Sequence, residues 1–233
     1  MYKMNAKNLS DRLKTVASFV EQDTILADIG SDHAYLPCYL VHQSIISKAI
    51  AGEVVKGPFE SAVKQVKSEG LDKQIEVRFG DGLQVIEDED QVGTVTIAGM
   101  GGPLIASILE AGKHKLTNVH TLILQPNIHA KAIREWAIKE GWNIDQETIL
   151  EEHSKIYEVI VLKKGNMVLT EQELLLGPIL MQSCTSVFQK KWSVEMKEWE
   201  RILTQLKNIP PSPEVLQKVE EIENKISLVK ELL

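Results

Sequence analysis

Thr24-Ile25-Leu26-Ala27-Asp28-Ile29-Gly30-Ser31-Asp32-His33-Ala34-Tyr35 is the stretch that decides the fold. A short, continuous apolar run reaches Asp28, breaks at Gly30 and enters a segment that reads as helix, the pattern of a buried parallel strand. A strand, a glycine turn and a helix start together make a place where main-chain N–H groups meet a polar or anionic ligand. The dinucleotide pattern G-x-G-x-x-G fails, because Asp32 stands where its second glycine would be. What remains is an acid two residues before a glycine at a strand end.

Working outward, the same unit recurs. Leu9 to Leu13 opens a helix with Ser10 as N-cap and with Leu9, Leu13, Val16 and Val20 on one face. Helix is expected from Ala34 to Gln43, then a second buried strand over Lys48 to Glu53 that ends in an acid. Pro58 to Glu69 reads as helix, stopped by Gly70. Ile75 to Phe79 is a third strand, turning at Gly80-Asp81-Gly82, and Val95 to Ala98 a fourth, followed by Gly99-Met100-Gly101-Gly102-Pro103 and a helix from Leu104 to Ala111. Thr121 to Leu124 is a fifth, ending at Gln125-Pro126-Asn127. A helix carrying Ile133, Trp136 and Ala137 follows, and Asn143–Glu151 with Lys155–Leu162 read as a closing hairpin. Alternating strands and helices predict an open parallel sheet that binds at the carboxyl ends of its strands.

Past Gly165 the character changes. Phe188, Trp192, Met196, Trp199, Leu203 and Leu206 fall three or four apart, Pro210-Pro211-Ser212-Pro213 interrupts, and Leu216, Val219, Ile222, Ile226, Val229 and Leu233 resume the spacing. Two helices with narrow apolar seams predict an antiparallel, coiled-coil-like hairpin. The expected division is therefore residues 1–165, an α/β domain, and 166–233, a helical hairpin domain.

The 233 residues carry a net charge of −7, which argues against a protein that coats nucleic acid non-specifically, although lysine-rich stretches can still form a local basic face. Cys38 and Cys184 lie far from any other candidate ligand, so no metal site is expected and both read as reduced thiols. The chain shows no secretory leader and no run of about 20 apolar residues, so a cytoplasmic location is expected. Oligomeric state is left open, with a monomer slightly favoured.

Several residues could carry chemistry. Glu53, near the ~20-residue interval after the glycine turn, can accept the two ribose hydroxyls of a nucleoside cofactor, or be a solvated loop acid. Asp81 stands at the third strand end in a common turn dipeptide. The glycines around Met100 either clear a wall for a flat base or permit a close strand–helix crossing. Gln125 and Asn127 either pair with an adenine edge or satisfy loop backbone. Asp32 could orient a target base or hold a cofactor ammonium, and His33 could touch base or phosphate.

With these strand ends in place, the chain resembles the bacterial tRNA (adenine-N1)-methyltransferase family that modifies position 22. The resemblance rests on Asp28-Ile29-Gly30-Ser31-Asp32-His33-Ala34-Tyr35, Ala51-Gly52-Glu53, Gly80-Asp81-Gly82-Leu83, Ala98-Gly99-Met100-Gly101-Gly102 and Gln125-Pro126-Asn127. It implies a Rossmann-like class I methyltransferase fold, S-adenosylmethionine as cofactor, tRNA as substrate and a C-terminal helical domain. Asp28, Gly30, Ser31, His33, Glu53, Asp81, Gly82 and Gly99 then become the expected cofactor contacts, and Asp32, Met100 and Asn127 the residues at the reacting centre. Arg12, Lys14, Lys131, Arg134, Lys190 and Lys191 are the cations expected to hold RNA, with the hairpin as a tRNA-binding aid. The competing readings are a nicotinamide-dependent oxidoreductase and a non-catalytic RNA- or protein-binding adaptor on the same fold.

Overall fold

The computed structural model describes residues 5–233, which fall into two compact units, residues 5–167 and 168–233. In the first, a seven-stranded sheet has the order β3-β2-β1-β4-β5-β7-β6. Its strands are β1 (Ile25–Ile29), β2 (Lys48–Glu53), β3 (Ile75–Phe79), β4 (Thr94–Met100), β5 (Thr121–Pro126), β6 (Trp142–Glu152) and β7 (Lys155–Lys164). The first five are parallel, while β7 runs antiparallel to β5 and to β6. His153 and Ser154 close that hairpin with φ of 50° and 62°, both left-handed as a two-residue type I′ turn requires.

The helices that cover the sheet are α1 (Asp11–Ser18), α2 (Tyr35–His42), α3 (Lys56–Ser68), α4 (Gly102–Ala111) and α5 (Lys131–Lys139). One core joins Ile29, Val95, Ile97 and Leu122 to Ile105, Leu109, Ile133 and Trp136 of α4 and α5. The other joins Leu26, Ala51 and Ile123 to Val16, Leu36, Leu40, Ala62 and Val66 of α1, α2 and α3. The result is three layers, with strands apolar on both faces as such burial demands. The Ser10 hydroxyl caps α1 by accepting from the Leu13 N–H at 3.3 Å.

The chain leaves β1 toward β2 and β3, then returns to place β4 on the other side of β1. That reversal makes the crevice beyond the carboxyl ends of β1 and β4 the expected binding position.

The second unit contains α6 (Glu171–Leu176), α7 (Pro178–Ser183), α8 (Ser186–Leu206) and α9 (Pro213–Lys230). Its two long helices pack through Leu203, Ile222 and Ile226, with Met196, Trp199, Leu206 and Val219 alongside. The expected seam is too long at both ends of α9. Leu216 is 60% exposed and Leu233 is 48% exposed, because one lies in the first turn and the other past the last. No helix among the described residues is long and apolar enough to cross a membrane.

Candidate active site

Asp28, one residue before the end of β1, is buried between Ala51 of β2 and Thr96 of β4. Its carboxylate accepts from the Thr96 hydroxyl at 2.6 Å and from the Ser31 hydroxyl at 2.5 Å. Burial pushes this carboxyl above the ordinary aspartate range, the two hydroxyls pull it back, and nearby Glu53 adds to the rise. Asp28 and Ser31 thus brace each other across the turn.

The turn has an unusual backbone. Gly30, Asp32 and Ala34 have φ of 70°, 54° and 53°, so every second residue is left-handed although only the first is glycine. At Gly30 a side chain would be strained by the left-handed backbone, and its Cβ, 2.2 Å from the Met100 Cε, would push that methyl aside. The N–H groups of Gly30 and Ser31 donate to the Gly52 carbonyl at 2.9 and 3.2 Å, that of Ala34 donates to Ser31 O at 2.9 Å, and that of Asp32 donates to the Glu53 carboxylate. The expected cradle of free N–H groups is therefore largely closed by the chain's own acceptors. A pyrophosphate would find few donors there, and would face three carboxylates, Asp28, Asp32 and Glu53.

Opposite this turn, the β4–β5 ladder slips at Gly99, with Ala98 paired to Gln125 and Met100 to Pro126. Gly99 has φ of 81°, which identifies a β-bulge that lifts one peptide group out of the ladder. Two side-chain amides take over its hydrogen bonds. The Gly99 N–H donates to Gln125 Oε1 at 2.9 Å, and Asn127 Nδ2 donates to the Gly99 carbonyl at 2.7 Å. Gln125 is fully buried and also accepts from the Arg12 guanidinium. Of the two readings of this amide pair, satisfaction of loop backbone is the one the geometry displays. Gly102 likewise serves a close crossing, as a Cβ there would sit 2.1 Å from the His129 carbonyl oxygen.

Between turn and bulge lies a cavity of about 270 Å³ that collects Arg12, Asp28, Gly30, Ser31, Asp32, His33, Gly99 and Met100 from the sequence-based set. Glu53 joins it through the Asp32 N–H and Asn127 through the Gly99 carbonyl. His33 stacks on Tyr35, ring centroids 5.1 Å apart. Asp81 precedes the 3-10 turn over Gly82–Val85, exposed and outside this cavity. Leu13, Tyr35, Leu36 and Ala98 complete the lining without having been singled out. Tyr157, 5.5 Å below the Arg12 guanidinium, was also missed. No sequence period ties a residue on β7 to one on α1.

One RNA-holding assignment is corrected. Arg134 is wholly buried, its guanidinium bonded to Glu147 at 2.8 Å and to Glu158 at 2.7 Å, so it fastens α5 to β6 and β7. Lys14 and Lys131 are partly exposed, beside Asp11 at 3.4 Å and Glu135 at 3.6 Å. Lys190 and Lys191 lie on α8 in the second unit.

A parallel sheet with this order, an antiparallel hairpin at one edge and an acid-lined pocket at the switch point define a Rossmann-like methyltransferase. The model of the family described as tRNA (adenine(22)-N(1))-methyltransferase matches residues 26–231. A Bacillus subtilis protein named tRNA (adenine(22)-N(1))-methyltransferase is 47% identical, over 99% of both chains. The crystal structure of a Streptococcus pneumoniae putative tRNA (m1A22) methyltransferase in complex with S-adenosyl-L-methionine is 46% identical, covers 97% of this chain and 100% of its own, and superposes with a TM-score of 0.89. An M. capricolum relative in complex with S-adenosylhomocysteine is 30% identical over 96% of each chain, TM-score 0.84. The chain belongs to the tRNA (adenine(22)-N(1))-methyltransferase family.

Proposed function

We propose that the chain methylates N1 of adenine 22 in tRNA, with S-adenosylmethionine seated on the turn after β1 and the acid end of β2. The observation that carries the assignment of the site is an uncompensated acid group. Asp28, Asp32 and Glu53 meet around Gly30, and among the described residues no lysine or arginine pairs with any of them, the His33 imidazole standing 3.7 Å from Asp32. A cofactor with a sulfonium, an ammonium, two ribose hydroxyls and no phosphate suits such a place, whereas a nicotinamide dinucleotide brings two negative charges to it. Bound there, S-adenosylmethionine supplies a methyl carbon on a good leaving group.

Glu53 is the acceptor for the ribose hydroxyls. β2 and β3 pair Glu53 with Phe79, so Val54–Val55 and Gly80–Asp81 leave the sheet side by side. Val54 is half exposed, offering an apolar face for the purine next to the Asp81 carboxylate and the Gly82 main chain. Arg12, expected from the sequence to hold RNA, lines the cavity, bonded to Gln125 and over Tyr157, and would there receive the carboxylate of the cofactor. Adenine N1 already has an in-plane lone pair, so the protein need not create a nucleophile. Its task is to place N1 about 3 Å from the methyl carbon and in line with the breaking bond, where orientation is worth several kcal/mol. The bulge at Gly99 and the Met100 side chain shape that wall, and the amides of Gln125 and Asn127 keep it rigid. N1 is also a pairing atom, so the base must be extruded from the folded tRNA before it can react. Methylation leaves a cationic ring, and Asp32, whose side chain is open to the cavity, stabilises that charge as it develops.

Lys14 and Lys131 on the first unit and Lys190 and Lys191 on the second hold phosphates outside the reacting nucleotide. Methyl transfer to transcribed tRNA, followed by nucleoside mapping, tests the reaction. For the site, Asp32→Ala is expected to lower turnover far more than cofactor affinity measured by calorimetry; equal losses would remove Asp32 from the chemistry.

A further inference from the structure

Among the described residues of the first unit, five large apolar ones are exposed: Val54, Val55, Phe79, Leu104 and Ile128. Val54, Val55 and Phe79 follow or end β2 and β3, on the cofactor-base side, and Phe79 has the Phe59 ring against it at 5.5 Å. Ile128 lies on the other side of the switch point, after β5, and is 61% exposed. An isolated exposed isoleucine is ordinary. This one is mounted on backbone fixed at three successive residues. The Asn127 N–H donates to Met100 O at 2.7 Å, the Gly102 N–H donates to Ile128 O at 2.8 Å, and His129 is held left-handed at φ 57°. The support is so close that a Cβ on Gly102 would strike the His129 carbonyl, while a Cβ on Gly101 would lie 3.8 Å from the Ile128 Cγ1. A rigid loop therefore presents a branched apolar side chain to solvent one residue beyond Asn127, which grips the bulge next to the reacting wall. Pro103 and Leu104, also exposed, continue the apolar ridge at the start of α4.

We infer that Ile128 is the wedge that enters the base stack of the tRNA when the target adenine is extruded, filling the space it leaves. The inference rests on the reading of this pocket as the site of adenine N1 methylation. Extrusion leaves an apolar gap between the neighbouring bases, and a stiff apolar side chain that occupies it keeps the flipped state from collapsing. A flexible loop could not do this, because it would pay its own ordering on each encounter. The position also suits the traffic: the cofactor purine lies over the β2–β3 side, so the target base enters from the β4–β5 side, where Ile128 stands. Lys131 and His129 flank it, suited to the phosphates of the displaced nucleotide.

The test uses the full-length protein and tRNA carrying 2-aminopurine at the target position, whose fluorescence rises on unstacking. At saturating protein, Ile128→Ala is expected to lose most of the rise seen with the wild type, and Ile128→Leu to keep it. In methylation assays Ile128→Ala should lose at least about tenfold in kcat/KM on native tRNA. On a tRNA whose target adenine is mismatched it should lose much less, because the base is already partly free. Cofactor affinity, read by calorimetry, should not change. An undiminished fluorescence rise in Ile128→Ala, or an equal loss of kcat/KM on paired and mismatched tRNA, would overturn the wedge. Failure of the wild type itself to methylate N1 of tRNA adenine would instead overturn the underlying reading of the site.

Discussion

Two groups of carboxylates in the first unit have opposite electrical surroundings. Glu147 and Glu158 close on Arg134, so the cluster carries its own cation and is sealed from solvent. Asp28, Glu53 and Asp32 gather around Gly30 with hydroxyls and main-chain N–H groups as donors, and among the described residues no lysine or arginine is bonded to them, Arg12 on the cavity wall being bonded to Gln125 instead. The first group holds a guanidinium between its two acids and fastens a helix to the sheet. The second has negative charge to spare at the mouth of a cavity. Structural burial of charge is matched within the fold, whereas a binding site leaves the mismatch for its ligand to resolve.

The largest effect expected from this contrast is at the cluster built on Arg134. Arg134→Met strands two buried carboxylates and should cost about 3–5 kcal/mol in urea unfolding. Most of that should return when Glu147→Gln and Glu158→Gln are added. Cofactor affinity of the protein that remains folded should stay at the wild-type value. A loss below about 1 kcal/mol would show the cluster to be dispensable.

At the unbalanced group the effects should fall on binding. Glu53→Gln keeps the volume and one acceptor but removes the charge that receives the ribose hydroxyls. Hydrogen bonds to charged groups are worth about 1.5–3 kcal/mol, so cofactor affinity should drop roughly 10- to 100-fold. Unfolding should barely change, since the substitution also relieves Asp28 of a like charge. A loss of stability with affinity intact would make Glu53 a second structural acid and erase the contrast.

Asp28 offers a pH signature. Its native pKa is raised, by burial first. The folded state therefore holds the proton more tightly than the unfolded chain does. This carboxyl favours folding least once pH has risen past its native pKa, and most below the ordinary aspartate value. Asp28→Asn keeps an acceptor for Ser31 or Thr96 and has no such dependence. The stability of the Asn variant minus that of the wild type should climb as pH rises above the ordinary aspartate range. A flat or falling difference would mean that the two hydroxyls outweigh burial.

How much of this was legible in the sequence depends on range. Strand ends such as Asp28-Ile29-Gly30 and Ala51-Gly52-Glu53 announced themselves because apolar runs, glycines and acids are local signals. The bulge at Gly99 could not be seen, since it exists only in register against β5, and with it went the reason for Gln125 and Asn127. Arg134 misled for a similar cause. It stands three residues from Lys131 in a basic, polar-looking turn, while its partners Glu147 and Glu158 lie 13 and 24 positions away on strands whose facing is a tertiary fact. The short helices α6 and α7 were passed over because six residues carry no period. Thr170 and Glu173 nevertheless form a capping box that the spacing alone displays.

The smallest effect separates strain from chemistry in one residue. Asp32 is left-handed at φ 54° with an exposed side chain, so nothing packed is lost by shortening it. Asp32→Ala and Asp32→Gly both remove the carboxylate, and both should lose turnover to the same degree if charge stabilisation is its role. They differ in backbone: alanine resists the left-handed region by about 1 kcal/mol, whereas glycine enters it freely. For a unit of this size the glycine variant should melt about 2–4 °C above the alanine variant. Equal melting temperatures with unequal turnover would reverse the argument, because activity would then follow the shape of the turn and not the charge it carries.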